Sequence, residues 1–160
     1  MSIATALLEA APHRVPPLVR PGHGDAQVLK LLAGHTAEEL FPGARAPKGA
    51  LAGLYFYFGC WQQAHEVSQD DASAEGSYWH GIIHRQEPDF DNANYWFRRA
   101  KAHPVQAALA DQFGRWDPEE FVKRCEQARP GSDDERQALE RQLVEWRLLY
   151  EFCAQAEATS

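Results

Sequence analysis

Seventeen consecutive residues, 49–65, carry no charged side chain. Most of them are apolar or aromatic, but the run also includes Gln62, Gln63 and three glycines. It is too short and too polar to cross a membrane. Because a helix that is apolar on every side is usually buried, we predict a central buried helix over about residues 48–69.

Signals for helix starts and stops recur along the rest of the chain. Thr36 and Glu39 form a capping box, and Asp117 precedes Pro118 as an N-cap does. Further helices are predicted over about residues 25–32, 73–87, 91–100 and 105–113, with others starting near residues 36, 117 and 132. No segment alternates with the period of a strand, except residues 55–58, which continue the central helix. The predicted fold is all-α, an irregular single-domain bundle around the helix at 48–69.

The N-terminal residues differ in composition from the rest. Residues 1–24 contain four of the ten prolines and no sustained hydrophobic period. We therefore predict a mostly irregular N-terminal arm, with a short helical turn at 3–10, followed by a single helical domain over residues 25–160. A chain of 160 residues suits one domain of this kind.

Charge and cysteine content narrow the classes of partner and compartment. The formal net charge is −7 and there is no basic run, which argues against nucleic acid and anionic membrane as partners. Cys60, Cys125 and Cys153 are odd in number and lack CxxC spacing, which favours a reducing, cytoplasmic compartment. No basic segment precedes the apolar N-terminal patch, so a signal peptide is not predicted.

The most informative stretch for function is residues 55–99, which hold 11 of the 18 aromatic residues and three of the seven histidines. The segments read GCWQQAHEVSQ and GSYWHGIIHRQEPDFDNANYWFRR. They resemble a family of short, all-helical bacterial and fungal proteins with AHE, GSYWHxIxHRxEPD and NAxYWFRR segments. The resemblance covers roughly residues 50–150 and is most specific in the central third. That family has no assigned activity, so the resemblance implies a shared helical fold and no mechanism.

Three histidines are spaced so that they can meet. His80 and His84 are four residues apart, which places them on one face of a helix. With a turn near residues 70–72, His65 would lie at a similar height on the preceding helix. Three neutral imidazoles suit zinc, with a position left for water. The same spacing also fits core histidines that only form hydrogen bonds, and both interpretations remain open.

The predicted helix at 73–87 has two faces that look buried. His80 and His84 point nearly opposite to its apolar face, but residues 76–84 contain no charged side chain. The small residue Gly81 also suits close approach of another element. We therefore predict a polar interior face rather than a solvated one. Because residue 81 is Gly, the HExxH signature of zinc proteases is absent.

Other polar residues are candidates for the same site. Glu66 is a candidate ligand or general base, or else one half of an ion pair with Arg98 or Arg99. One of these two arginines would bind an anionic substrate. Tyr78 and Tyr95 are candidate substrate-binding residues, although tyrosines in such positions are more often core.

Three functions are consistent with these residues. The first is a metal-dependent enzyme, hydrolase- or lyase-like, that acts on a small anionic molecule. The second is a metal-free pocket that binds a small anion or metabolite. The third is a structural or interaction protein in which the polar residues only specify packing. Oligomeric state is left open.

Overall fold

Ten helices make up the regular structure of residues 1–157, the part of the chain that the computed structural model describes. They are α1 (Ile3–Ala10), α2 (Ala26–Leu32), α3 (Ala37–Leu40), α4 (Pro47–Tyr57), α5 (Trp61–Gln69), α6 (Ala74–Gln86), α7 (Phe90–Ala100), α8 (Pro104–Phe113), α9 (Pro118–Gln127) and α10 (Asp133–Ala154). Within these residues there is no strand, only an isolated bridge between Ala44 and Ala156. The predicted all-α class is confirmed.

Polar side chains cap most of the helices at their N-termini, where backbone N–H groups lack partners within the helix. At α3, Thr36 and Glu39 form the reciprocal capping box that the sequence predicts. The other capping side chains are Ser2, Asp25, Ser73, Asp89, His103, Asp117 and Ser132. Local sequence therefore decides where these helices begin.

The central helix predicted over residues 48–69 is broken into α4 and α5, so its continuity was wrong. Gly59 has a φ of +75°, a conformation that side chains with a Cβ rarely adopt. The N–H groups of Gly59 and Cys60 turn back to the carbonyls of Phe56 and Tyr55, which ends α4. The uncharged run is buried from residue 49 to 61, apart from the half-buried Tyr55, whereas Gln62 is exposed. It forms two helices rather than one.

Helices α4, α6 and α10 form the middle of the molecule. Helix α4 packs against α5, α6 and α10, and α6 packs against α5 and α7. Every residue of α6 from Gly76 to Gln86 is buried, which confirms that both of its faces are interior. The predicted close approach at Gly81 is made by Phe97 of α7.

A buried ion pair joins α6 to α10. Arg85 donates to Glu145 at 2.7 Å and to Gln142 at 3.0 Å, and the side chains of Arg85 and Glu145 are fully buried. The Tyr78 hydroxyl also donates to Glu145, at 3.3 Å. A buried charge pair needs further hydrogen bonds to its groups. Gln142 and Tyr78 supply two of them, while Arg85 Nε has no partner in the described residues.

The N-terminal arm is fixed to the bundle although most of it is irregular. The side chain of Gln86 donates to the Pro17 carbonyl at 2.7 Å. Gln142 donates to the carbonyls of Pro16 and Pro17, at 3.0 and 3.2 Å. Leu18 is buried as well. The arm therefore supplies backbone acceptors to two buried amides.

In residues 1–157, no helix is both long enough and apolar enough to span a lipid bilayer.

Candidate metal centre

Helices α5 and α6 bring three imidazoles together. His65 lies on α5, and His80 and His84 lie one turn apart on α6, after the turn that joins the helices. One ring nitrogen from each histidine lies within 4.8 Å of the other two. The predicted convergence of these rings is confirmed, and the group could hold a metal ion.

The rings are close enough to interact without an ion as well. The Nε2 atoms of His65 and His80 are 3.2 Å apart. The His80 and His84 ring centres are 4.7 Å apart, and the His65 and His84 ring centres are 5.0 Å apart. Since a neutral imidazole has one donor and one acceptor nitrogen, one of the two close Nε2 atoms donates and the other accepts.

Two indole rings pack against the cluster and form its side walls. Trp61 stacks on His65 with a centroid distance of 5.0 Å and an interplanar angle of 5°. Trp96 of α7 stacks on His80 at 3.9 Å. His80 is only 3% exposed and His84 only 6%, while His65 is half-buried. The cluster is thus sheltered, and His65 is its most accessible ring.

Glu87 and Asn92 determine the tautomer of His84. The Nδ1 atom lies 2.6 Å from the Glu87 carboxylate, so Nδ1 carries the proton and donates it. Nε2 then has the lone pair and accepts from the Asn92 amide at 3.2 Å. His84 and Glu87 also form a possible ligand group with Asp89, but Asp89 is exposed and caps α7.

Two of the three histidines, His65 and His80, are held in their neutral form. Burial, followed by the neighbouring His84 and His65, lowers the pKa of His80 to about 3. Burial, followed by His84, also lowers the pKa of His65, while Glu87 and Glu66 oppose this shift. The Nδ1 atom of His80 is buried and has no hydrogen-bond partner in the described residues. Neutral imidazole is the form that binds metals.

Glu66 lies outside the cluster. Its side chain is exposed and accepts a hydrogen bond from Gln62, one turn earlier on α5. It is not among the atoms that converge, and it forms no ion pair with Arg98 or Arg99 within residues 1–157. The carboxylate that contacts the cluster is Glu87.

The two candidate arginines differ in their surroundings. Arg98 is exposed and pairs with Glu119, so the sequence-based choice of Arg98 as an anion-binding residue is disfavoured. The Arg99 guanidinium lies over Trp96, 5.5 Å from its ring centre. It forms no ion pair in the part of the chain that the structure describes.

The two candidate tyrosines also differ in their surroundings. Tyr78 is fully buried, and its neighbours are Glu145, Phe97 and His103. The structure therefore does not bring the Tyr78 side chain to the cluster of His65, His80 and His84. Tyr95 is 49% exposed and meets Trp96 edge-on. Tyr95 therefore lies beside the Trp96 ring and does not contact the histidine cluster.

Sequence reasoning did not assign to the site four residues that surround the cluster: Arg20, Glu87, Asn92 and Trp96. The position of Glu87, three residues after His84 in the last turn of a helix, was a usable signal for a local contact. The other three come from different elements, and no local spacing reveals such contacts.

Together, the fold and this cluster define a small all-helical protein with a sheltered histidine centre. Comparison of the chain with protein-family models, curated proteins and solved structures finds no match. The family resemblance of the motif segments thus gains no support beyond the residues themselves. The function is therefore inferred from the geometry of the centre.

Proposed function

We propose that the protein binds one divalent metal ion, zinc, through Nε2 of His65, His80 and His84. At His84 the ion would displace the Asn92 amide from Nε2. The 3.2 Å between the Nε2 atoms of His65 and His80 is the observation that supports this best. Two imidazole nitrogens bound to one tetrahedral zinc ion are about 3.3 Å apart, given the usual zinc–nitrogen distance. The third ring lies within reach of the same point.

The surroundings of the ligands support this proposal. A histidine that binds zinc usually donates its other N–H to a carboxylate or carbonyl, which orients the ring and raises its basicity. Glu87 stands in that relation to His84. The low pKa of His80 and the lowered pKa of His65 mean that few protons compete with the ion at neutral pH.

A centre with three protein ligands keeps one position open, as catalytic zinc sites do. When bound, the ion would polarise a substrate oxygen or lower the pKa of water. We therefore propose a hydrolase- or lyase-like reaction on a small anionic molecule in the cytoplasm. The acidic net charge supports a small-molecule partner over nucleic acid or a membrane.

A metal-free function is the second candidate, and one observation favours it. A distance of 3.2 Å between two imidazole nitrogens is also within the range of an ordinary hydrogen bond. In that case the histidines would bind a small molecule directly or would only specify helix packing. The distance alone fits both candidates, whereas the metal content of the protein separates them.

The test is a count of metal ions in protein made without a histidine tag and purified without chelator. We expect about one zinc ion per chain in the wild type and almost none in His80→Ala. His13→Ala is the matched control, because His13 is exposed and lies in the N-terminal arm. Substitution of cobalt for zinc would add a visible spectrum that reports the ligand geometry.

Each result decides between the candidates. Stoichiometric zinc that is lost in His80→Ala and kept in His13→Ala supports the metal centre. A wild type that stays metal-free, even after dialysis against zinc, overturns it in favour of the metal-free candidate. Circular dichroism of each variant shows whether the helical fold is retained.

A further inference from the structure

We infer that Arg20, on the N-terminal arm, binds the anionic group of the ligand at the histidine centre. The inference rests on the proposed function, since it names the ligand class of that same centre. That class is a small oxyanion, a phosphate or a carboxylate. It also gives the arm a role in binding, although the sequence separates the arm from the helical domain.

Arg20 is held in a defined place. Its guanidinium lies over the Trp61 ring, 4.0 Å from the ring centre. Its backbone N–H donates to the Gln86 carbonyl at 2.6 Å, and Gln86 bonds back to Pro17. Trp61 is fixed in turn, because its indole N–H donates to the Ile83 carbonyl at 2.9 Å. An otherwise flexible arginine is thus oriented in advance of binding.

This placement puts a positive charge beside the accessible side of the centre. Trp61 stacks on His65, the most exposed of the three imidazoles. Arg20 is close enough to His65 to contribute to its lowered pKa, after the larger effects of burial and His84. Trp61 therefore contacts both the Arg20 guanidinium and the most accessible imidazole of the centre.

The guanidinium has no carboxylate partner. Within residues 1–157, Arg20 forms no ion pair, and neither Glu66 nor Glu87 lies within ion-pair distance of it. A cation near a metal centre opposes metal binding by repulsion, so it needs a compensating anion. Arg99, over the other indole wall, adds a second unpaired guanidinium.

The chemistry of these groups selects the ligand class. The planar fork of a guanidinium binds the two oxygens of a carboxylate or phosphate side by side. A divalent ion binds an oxygen of the same groups. An oxyanion that bridges the metal ion and Arg20 would be held at two points, whereas a neutral molecule would gain no charge–charge attraction from Arg20.

The experiment titrates inorganic phosphate into the zinc-loaded protein and measures the Kd by calorimetry. In Arg20→Gln we expect phosphate to bind at least about tenfold more weakly, the size of effect of one lost charged hydrogen bond. Arg20→Lys should bind with intermediate affinity, since it keeps the charge without the fork. Arg45→Gln is the matched control, because Arg45 also lies over an aromatic ring, Phe152, at 4.5 Å.

Zinc content is measured on the same samples. Unchanged zinc with weakened phosphate binding in Arg20→Gln alone supports the inference. Equal affinity in Arg20→Gln and wild type, or no phosphate binding by the zinc-loaded wild type, overturns it. If the protein holds no zinc, the proposed metal function fails by itself. Titration of phosphate into the metal-free chain then tests whether Arg20 binds the anion. If Arg20→Gln does not fold, Arg20→Lys gives the comparison.

Discussion

At the scale of the residue, two glutamates near the histidines differ in what they can do. Glu66 follows His65 in sequence, yet consecutive residues on a helix point about 100° apart, so its side chain faces solvent. Glu87 is three residues from His84, which on a helix means the same side, and it accepts the Nδ1 proton. Helix periodicity, not adjacency, decides which carboxylate supports the centre.

This difference gives a prediction about metal affinity. Glu87→Gln removes the charged acceptor from His84, and we expect zinc to bind about 10–100-fold more weakly, as for other carboxylates that support metal-bound histidines. The measurement is a competition titration with a chromophoric chelator. Glu66→Gln is the control and should match the wild type. A larger loss in Glu66→Gln than in Glu87→Gln would mean that the wrong carboxylate has been assigned.

The three histidines could be predicted because their spacing matches helix geometry, and the turn between α5 and α6 was recognisable. Their indole walls could be predicted only in part. Trp61 lies one turn before His65, but Trp96 comes from α7, and its stacking on His80 depends on how two helices pack. Arg20 is further away still in sequence, so nothing local points to it.

At the scale of the element, the approach of α7 to α6 depends on Gly81. A Cβ at this position would lie 2.7 Å from the buried Phe97 ring, closer than such atoms approach one another. The glycine is needed for space and not for an unusual backbone angle. Since His80 and Trp96 stack across the same pair of helices, this contact also positions one wall of the centre.

We therefore expect Gly81→Ala to destabilise the protein, although alanine is the better helix former. Overpacking costs about 1–3 kcal/mol, which exceeds the gain of up to about 1 kcal/mol in helix propensity. Urea unfolding in the presence of chelator measures the difference. Gly22→Ala should be nearly neutral, since a Cβ there meets nothing within 4 Å. A stabilised Gly81→Ala would show that α7 can move aside freely.

The N-terminus of helix α8 is capped by a titratable side chain, His103. The Nδ1 atom of His103 accepts from the Val105 N–H at 3.2 Å, so this nitrogen must be unprotonated. Burial lowers the pKa of His103, although Glu75 opposes the shift. The folded protein thus binds a proton here less readily than the unfolded chain. His103 makes its full contribution to the free energy of unfolding above about pH 6.5. This contribution is lost as the pH falls through the lowered folded-state pKa.

His103→Asn keeps a capping side chain but removes the titration. We expect its unfolding free energy to fall less steeply than that of the wild type between pH 7 and pH 5. One proton accounts for a slope of at most about 1.4 kcal/mol per pH unit. Urea midpoints across this range, measured with chelator present, give both slopes. Parallel curves would rule out His103 as a source of acid sensitivity.

At the scale of the whole molecule, the class of fold followed from the sequence because caps, helix stops and apolar spacing are local signals. The break at Gly59 was missed because the apolar run continues through it, and apolar character alone does not reveal a positive φ. The attachment of the arm was missed for another reason. Its bonds run from the Pro16 and Pro17 carbonyls to Gln86 and Gln142, and such long-range pairs leave no local pattern.

Gln142 connects the arm to the buried ion pair, since its oxygen accepts from Arg85 and its nitrogen donates to the arm. Gln142→Leu should cost about 1–3 kcal/mol, because it leaves buried polar groups unpaired. It should also speed trypsin cleavage in the arm after Arg14, which is followed by Val15. Gln137→Leu, exposed on the same helix, is the control. An unchanged free energy of unfolding and an unchanged cleavage rate would show that contacts other than those of Gln142 hold the arm.

The stacking of Trp61 and Trp96 on imidazoles also has an optical consequence. Two of the five tryptophans touch rings whose electron density an incoming cation would withdraw. Indole emission responds to such a change in a neighbour, so filling of the proposed centre would alter the native ultraviolet fluorescence. The protein would then carry its own unlabelled reporter of occupancy.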